Sequence, residues 1–376
     1  MQGGRMKFVL FYHSLVSDWN HGNAHFLRGI VRELVGLGHQ VDVYEPADGW
    51  SLSHLLEEHG QRALAEFRIA YPGLKSHFYT HDQLDVPRVL VGADVAIVHE
   101  WSSPHLVEKV GKASREQGVR AYFHDTHHRS VTEPDAIAAL DLRHYEGVLA
   151  FGEAVACRYR QMGWSARAWV WHEAADTRQF KPLVAEHEAD LVWIGNWGDE
   201  ERTAELHEYL IEPVAALALR ATVFGVRFPA SARETLTRAG LTYAGWLPNH
   251  AVPGIFARHR CTVHVPRRAY REMLPGIPTI RMFEALACGI PLISAPWEDT
   301  EGLFRAGRDY LIARNGREMC EHMRTVLESP QLAASLAQRG VETIRARHTC
   351  AHRVQELLAI VGERQLAGTA TVEVGA

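Results

Sequence analysis

Pro278 and Thr279 stand just before apolar residues at helical spacing: Ile280, Phe283, Leu286 and Ala287. Proline suits a first helical turn, and threonine can cap one. Gly289 stops the helix, Pro291 cannot continue it, and Leu292-Ile293-Ser294 reads as a buried strand. The unit is a short helix feeding a parallel strand. The N-terminus of such a helix offers free N–H groups and a positive dipole end around Ile277, Pro278 and Thr279, which suits a phosphate. Glu284 lies about one turn in, on the face away from Phe283 and Leu286. A carboxylate there can accept hydrogen bonds from ribose hydroxyls. Arg281, three residues earlier, can pair with it on one helix face.

Other chemistry gathers at predicted strand ends. Arg202 follows the turn Gly195-Asn196-Trp197-Gly198, and Arg267-Arg268 follows a strand over 261–265. Cations converging on the strand ends of one sheet point to an anion. A strand over 120–124 runs into Asp125-Thr126-His127-His128-Arg129. This loop reads equally as facing a cleft or as solvated. A metal site is not supported, because adjacent histidines point in different directions and no His-x3-His or Cys partner accompanies them.

The elements that must position these residues repeat an α/β rhythm. Strands are expected over 7–12, 40–44, 94–99, 120–124, 147–151 and 166–171, with helices over 23–37, 51–71, 104–117 and 153–162. This Rossmann-type opening lacks Gly-x-Gly-x-x-Gly, so a nicotinamide dinucleotide is not expected. The second half gives strands over 191–195, 221–225, 241–243, 261–265 and 292–294, with an edge strand over 310–313. A helix over 200–219 is broken or kinked at Pro213, and two helices, 331–346 and 350–361, close the chain.

The 376 residues suffice for two domains of ordinary size. A net charge of −5 gives no reason to expect nucleic acid. No apolar run approaches the ~20 residues that span a bilayer. Five widely spaced cysteines point to reduced thiols and a cytoplasmic protein.

The stretch 278–294 resembles the donor-nucleotide element of group 1 retaining glycosyltransferases of the GT-B type, roughly Glu-x7-Glu-Ala-x-Ala-Cys/Ser-Gly-x-Pro-Val. Glu284, Ala285, Ala287, Cys288, Gly289 and Pro291 match it. Gly276 stands where the first glutamate is usual. The variant Arg281-x-Phe283-Glu284-Ala285-x-Ala287-Cys288-Gly289 looks like the CgeB-like branch. Asp176, Phe180 and Pro182 keep the spacing of the family's linker phrase, and His21-Gly22-Asn23 before a helix resembles its opening loop. His124-Asp125 resembles the His-Asp found close to the transferred sugar.

The resemblance implies two Rossmann-like α/β domains facing an interdomain cleft: an acceptor domain over 1–180 and a donor domain over 181–365. The last helix packs back on the first domain, and 366–376 form a tail. It implies transfer of a sugar from a nucleotide sugar, with retention, to an acceptor left open among saccharide, protein and small molecule. No cofactor or obligatory metal is implied, because side chains and helix dipoles carry the diphosphate charge. His124, Arg202 and Arg268 are the expected catalytic residues. Gly22, Asn23, Asp125, Asn196, Ile277, Pro278, Thr279 and Glu284 are the expected substrate contacts. Two alternatives stand beside this. One is a GT-B-fold nucleotide-sugar 2-epimerase using Glu100, Asp125 and His124. The other is a binding or scaffold protein that has lost catalysis, which Gly276 favours.

Overall fold

The computed structural model describes residues 4–20 and 22–370, except the side chains of 199 and 364–370. His21 of the opening loop and 371–376 of the expected tail lie outside the described residues, while 366–370 continue the last helix, Cys350–Ala370.

Seven strands form a first sheet: β1 (Lys7–Phe11), β2 (Gln40–Pro46), β3 (Ser76–Tyr79), β4 (Val95–His99), β5 (Arg120–Asp125), β6 (Gly147–Ala150) and β7 (Ala168–Val170). All pair in parallel, in the order β3-β2-β1-β4-β5-β6-β7. Every residue of β4 and β6 is buried, as expected of a parallel sheet covered on both faces. The helix Pro104–Gln117 shows how local chemistry sets the boundaries. Ser103 accepts from the Leu106 N–H at 3.3 Å, proline occupies the first turn, and Gly118 ends the helix in the left-handed region.

Six further strands form the second sheet: β8 (Ala189–Ile194), β9 (Ala221–Phe224), β10 (Leu241–Gly245), β11 (His259–His264), β12 (Leu292–Ser294) and β13 (Leu311–Ile312). They too are all parallel, in the order β10-β9-β8-β11-β12-β13. Their core includes Leu191, Trp193, Val223, Val263, Ile293 and Met319. Both sheets thus have Rossmann-like topology, with strand order reversing between β1 and β4 in one and between β8 and β11 in the other.

The chain divides into two compact units. One takes the residues through Ser17, Leu27–Glu173 and the chain from Cys350 on; the other takes Asp18–Phe26 and Ala174–Thr349. The break at 173/174 compares with the expected 180, and the short segment Asp18–Phe26 joins the second unit. The last helix belongs to the first unit. There the Trp171 Nε1–H donates to the Arg353 carbonyl at 2.8 Å, and Arg120 donates to that of Val361 at 2.8 Å.

Elements that differ from the sequence reading include one strand and two helices. β3 was not expected; only Tyr79 of its four residues is buried, and pairing with β2 defines it. The helix Gly316–Glu328 was also not expected, although Asn315 caps it and Met319, Met323 and Val326 bury at helical spacing. The helix expected over 200–219 is a 3₁₀ turn, Asp199–Glu201, then a short helix, a π turn over His207–Ile211 and a last helix, Glu212–Ala216. Pro213 has no N–H to donate, and the wider turn falls just before it.

Candidate functional site

In the second sheet, the C-terminal ends of β8 and β11 flank the switch point where such sheets hold ligands. β8 leads into Gly195-Asn196-Trp197-Gly198, and β11 leads into Val265-Pro266-Arg267. Arg202 ties these two loops together. It is 9% exposed, and its guanidinium donates to the carbonyls of Trp197 at 3.4 Å, Val265 at 3.2 Å and Asn196. Burial, then the nearby Arg267 and Arg281, bring its pKa down to about 9. The guanidinium groups of Arg267 and Arg281 thus lie near that of Arg202, and Arg281 is the one that lines the adjoining cleft. Arg267 pairs with Glu201 and Arg281 with Glu284, whereas Arg202 hydrogen-bonds carbonyl oxygens and lies over the Trp193 ring, 5.2 Å from its centroid.

A cleft of about 60 Å³ opens here, lined by Asn20, Gly22, Gly195, Asn196, Val226 and Arg281. Asn196 bridges its walls: its Oδ1 accepts from the Val226 N–H at 3.0 Å, and its Nδ2 donates to Asn20 Oδ1. Asn20 itself adopts a left-handed backbone, φ 64°. Asp18 accepts from the Asn249 N–H at 3.0 Å and anchors the same segment.

The helix Ile280–Cys288 forms the floor. Thr279 has the extended backbone of an N-cap, but its side chain does not cap the helix. Its hydroxyl lies 3.1 Å from His264 Nε2, and His264 Nδ1 lies 2.8 Å from Ser294 Oγ. Burial, then Arg202, push His264 down to about 3. Gly289 ends the helix at φ 69°, as the sequence indicated. Every residue of the helix is buried except Arg281, so Glu284 does not face solvent. Its two oxygens receive Asn249 Nδ2 at 2.9 Å and Arg281. Ile277 and Pro278 are buried immediately upstream. Gly276 has φ 89°, and a Cβ there would run into Thr300 Oγ1. No glutamate side chain fits this backbone without strain.

Gly22 and Asn196 thus meet in one cleft, with Arg202 behind it, and Asn23 begins the adjoining helix Asn23–Gly36. Arg268 is not among the residues lining that cleft. It pairs with Glu205 at 3.1 Å, which raises its pKa. His124 and Asp125 belong to the other unit, at the end of β5. His124 is 1% exposed, 2.6 Å from the Tyr12 hydroxyl and against the Trp171 ring, and burial pushes it down to about 3. Asp125 is fully buried. It accepts from the Tyr159 hydroxyl at 2.8 Å, and burial pushes it up to about 6. Glu100 beside it is raised as well, by burial and by Asp125. Sequence reading missed His25, Asn249 and Asn20. Their partners lie 151, 35 and 176 residues away, so no local pattern marks them. Arg281 carried a signal, its spacing to Glu284.

Residues 202–359 match the family model described as glycosyl transferase-like. A comparison with curated proteins gave no match. Among solved structures, Anabaena Alr3699/HepE in complex with UDP and glucose is 16% identical with a TM-score of 0.69, covering 96% of this chain and 100% of that one. T4 phage BGT in complex with its UDP-glucose substrate is 12% identical at TM-score 0.60, covering 95% and 100%. A putative UDP-N-acetylglucosamine 2-epimerase from Listeria monocytogenes is 11% identical at TM-score 0.59, covering 96% and 97%. At these identities the likeness is one of fold. The chain therefore has two Rossmann-like domains of the kind found in GT-B glycosyltransferases, and its segment from 202 to 359 matches a family model described as glycosyl transferase-like.

Proposed function

We propose that this protein transfers a sugar from a UDP-linked donor to an acceptor hydroxyl. The observation that carries the reading is Arg281 lining the switch-point cleft, with Arg202 and Arg267 near it, in the unit that holds most of the segment matching the glycosyl transferase-like model. Departure of a nucleoside diphosphate develops negative charge, and fixed cations in a desolvated site stabilise it most effectively. Arg281 meets the diphosphate at the cleft, and Arg202 supplies a desolvated charge behind it. Arg268 takes part only when its pairing with Glu205 opens. Glu284 reaches a ribose by exchanging Asn249 for it, while keeping Arg281. Gly22, Asn23, Asn196 and the segment Ile277, Pro278, Thr279 complete the donor side in this reading. With this charge supplied by arginines, the reaction needs no metal or cofactor.

The acceptor is a saccharide, a protein or a small molecule. Retention of anomeric configuration is part of the proposal. It rests on the phrase from Glu284 to Pro291, since Gly276 leaves no carboxylate at the first position. The phrase beginning at Arg281 supports the CgeB-like branch. Cytoplasmic residence is supported by five cysteines that are all free. Among the described residues, no helix is long and apolar enough to cross a membrane.

An epimerase would need Glu100, Asp125 and His124 open to a sugar. They are 1%, 0% and 1% exposed, which favours the transferase. Incubation with a panel of UDP-sugars and candidate acceptors tests the reading. Release of UDP with a glycosylated product, its anomer assigned by NMR, supports it. Sugar isomerisation without release supports the epimerase, and binding alone supports a scaffold.

A further inference from the structure

His25 is 1% exposed, at the start of the helix Asn23–Gly36. Its Nε2 accepts a hydrogen bond from the Asp176 backbone N–H at 2.7 Å. A backbone N–H only donates, so Nε2 carries the lone pair and the neutral ring carries its proton on Nδ1. Nδ1 lies 3.3 Å from Glu284 Oε1. The contact falls outside hydrogen-bond geometry, and Nδ1 has no hydrogen-bond partner among the described residues. It is electrostatic, with the Nδ1–H facing a carboxylate. The ring packs against Phe180 with centroids 4.0 Å apart, which limits its rotation.

Glu284 is fully buried, and burial alone pushes its carboxyl up. Arg281 beside it does most to outweigh that, leaving it below its ordinary value. A buried carboxylate persists only when it is paired and hydrogen-bonded, and here Asn249, Arg281 and His25 surround it. Of these four side chains, Arg281 is the one that lines the cleft, and its side chain is 30% exposed.

We propose that His25 is a positioning residue for the diphosphate site: Asp176 fixes it as the Nδ1–H tautomer, it faces Glu284, Glu284 holds Arg281, and Arg281 is the cation that meets the diphosphate. The ligand's identity rests on the transferase reading above, while the relay rests on the geometry. An imidazolium at His25 would have a proton on Nε2 pointing at the Asp176 N–H, so the relay operates with a neutral ring. The same contact ties the chain at Asp176 to the orientation of a cation at the cleft.

The test uses the full chain and UDP as the probe. The ¹⁵N spectrum of the wild type should show His25 protonated at Nδ1 and unprotonated at Nε2. His25→Gln keeps an acceptor for Asp176 and loses the group facing Glu284; His25→Asn places an N–H near Nδ1 and loses the acceptor. Calorimetry should show UDP affinity falling about tenfold in His25→Gln, with most of that loss recovered in His25→Asn. The two variants should melt at similar temperatures. In an Arg281→Ala background, His25→Gln should add no further loss. Additive losses, equal losses in the two variants, or a proton on Nε2 overturn the relay. If the wild type does not bind UDP, the donor reading falls, and the relay stands or falls on the spectrum.

Discussion

A Cβ built on Gly22 would lie 2.5 Å from Cγ2 of Ile280. The Gly22 backbone of the opening loop therefore packs directly on the Ile280 side chain at the start of the helix Ile280–Cys288. Gly22→Ala should force a shift costing about 1–3 kcal/mol, as other overpacking changes do. Urea denaturation should show this loss, and it should be less than additive when Ile280→Ala supplies the space. Additive effects would place the Gly22 requirement elsewhere.

Arg281 and Arg268 separate in their expected effects. Removing Arg281 takes a cation from the cleft, and losing one such donor costs roughly 10²-fold or more in turnover. Arg268 is paired with Glu205 away from the cleft lining, so Arg268→Ala should change turnover much less. Steady-state kinetics on both variants check this, and equal losses would bring Arg268 into the site.

Turnover should persist in excess EDTA. On the proposed reading, Arg281 at the cleft and Arg202 behind it would offset the diphosphate charge in place of a divalent cation. Loss of activity on chelation, restored by magnesium or manganese, would contradict this.

His264 links stability to pH. Its pKa falls from 6.5 to about 3, chiefly through burial and then through Arg202, so the native state holds the neutral ring. The contribution is fully present above pH 6.5 and is lost as pH falls toward 3, at up to ~1.4 kcal/mol per unit. The urea midpoint of the wild type should fall more steeply between pH 7 and 4 than that of His264→Gln. Parallel curves would remove His264 as the cause.

His124 distinguishes a cleft residue from a core one. Its ring is enclosed by Tyr12, His99 and Trp171. His124→Ala should cost about 1–3 kcal/mol of stability, as the loss of a buried polar partner does. An unchanged melting curve with a large loss of turnover would instead put this residue in contact with substrate.

What the sequence determined by itself was the alternation of elements. The apolar runs of β1, β4, β6 and β8 and the stripe Ile280, Phe283, Leu286 are local signals, because burial on both faces of a parallel sheet writes continuous apolar runs. Gly289 was legible as well, because a left-handed turn at a helix end selects glycine. The pairing of Arg281 with Glu284 was legible because the helix fixes a three-residue spacing. Tertiary structure alone decided the rest. Glu284 reads as a polar-face residue in one dimension, yet Asn249 and His25 arrive from distant segments and enclose it. Thr279 reads as a cap, yet His264, fifteen residues earlier, takes its hydroxyl. Gly276 reads as a missing glutamate, yet its backbone at φ 89° and the nearby Thr300 leave no room for a side chain. Long-range partners set burial, protonation and the aim of each charge, and no local period encodes them.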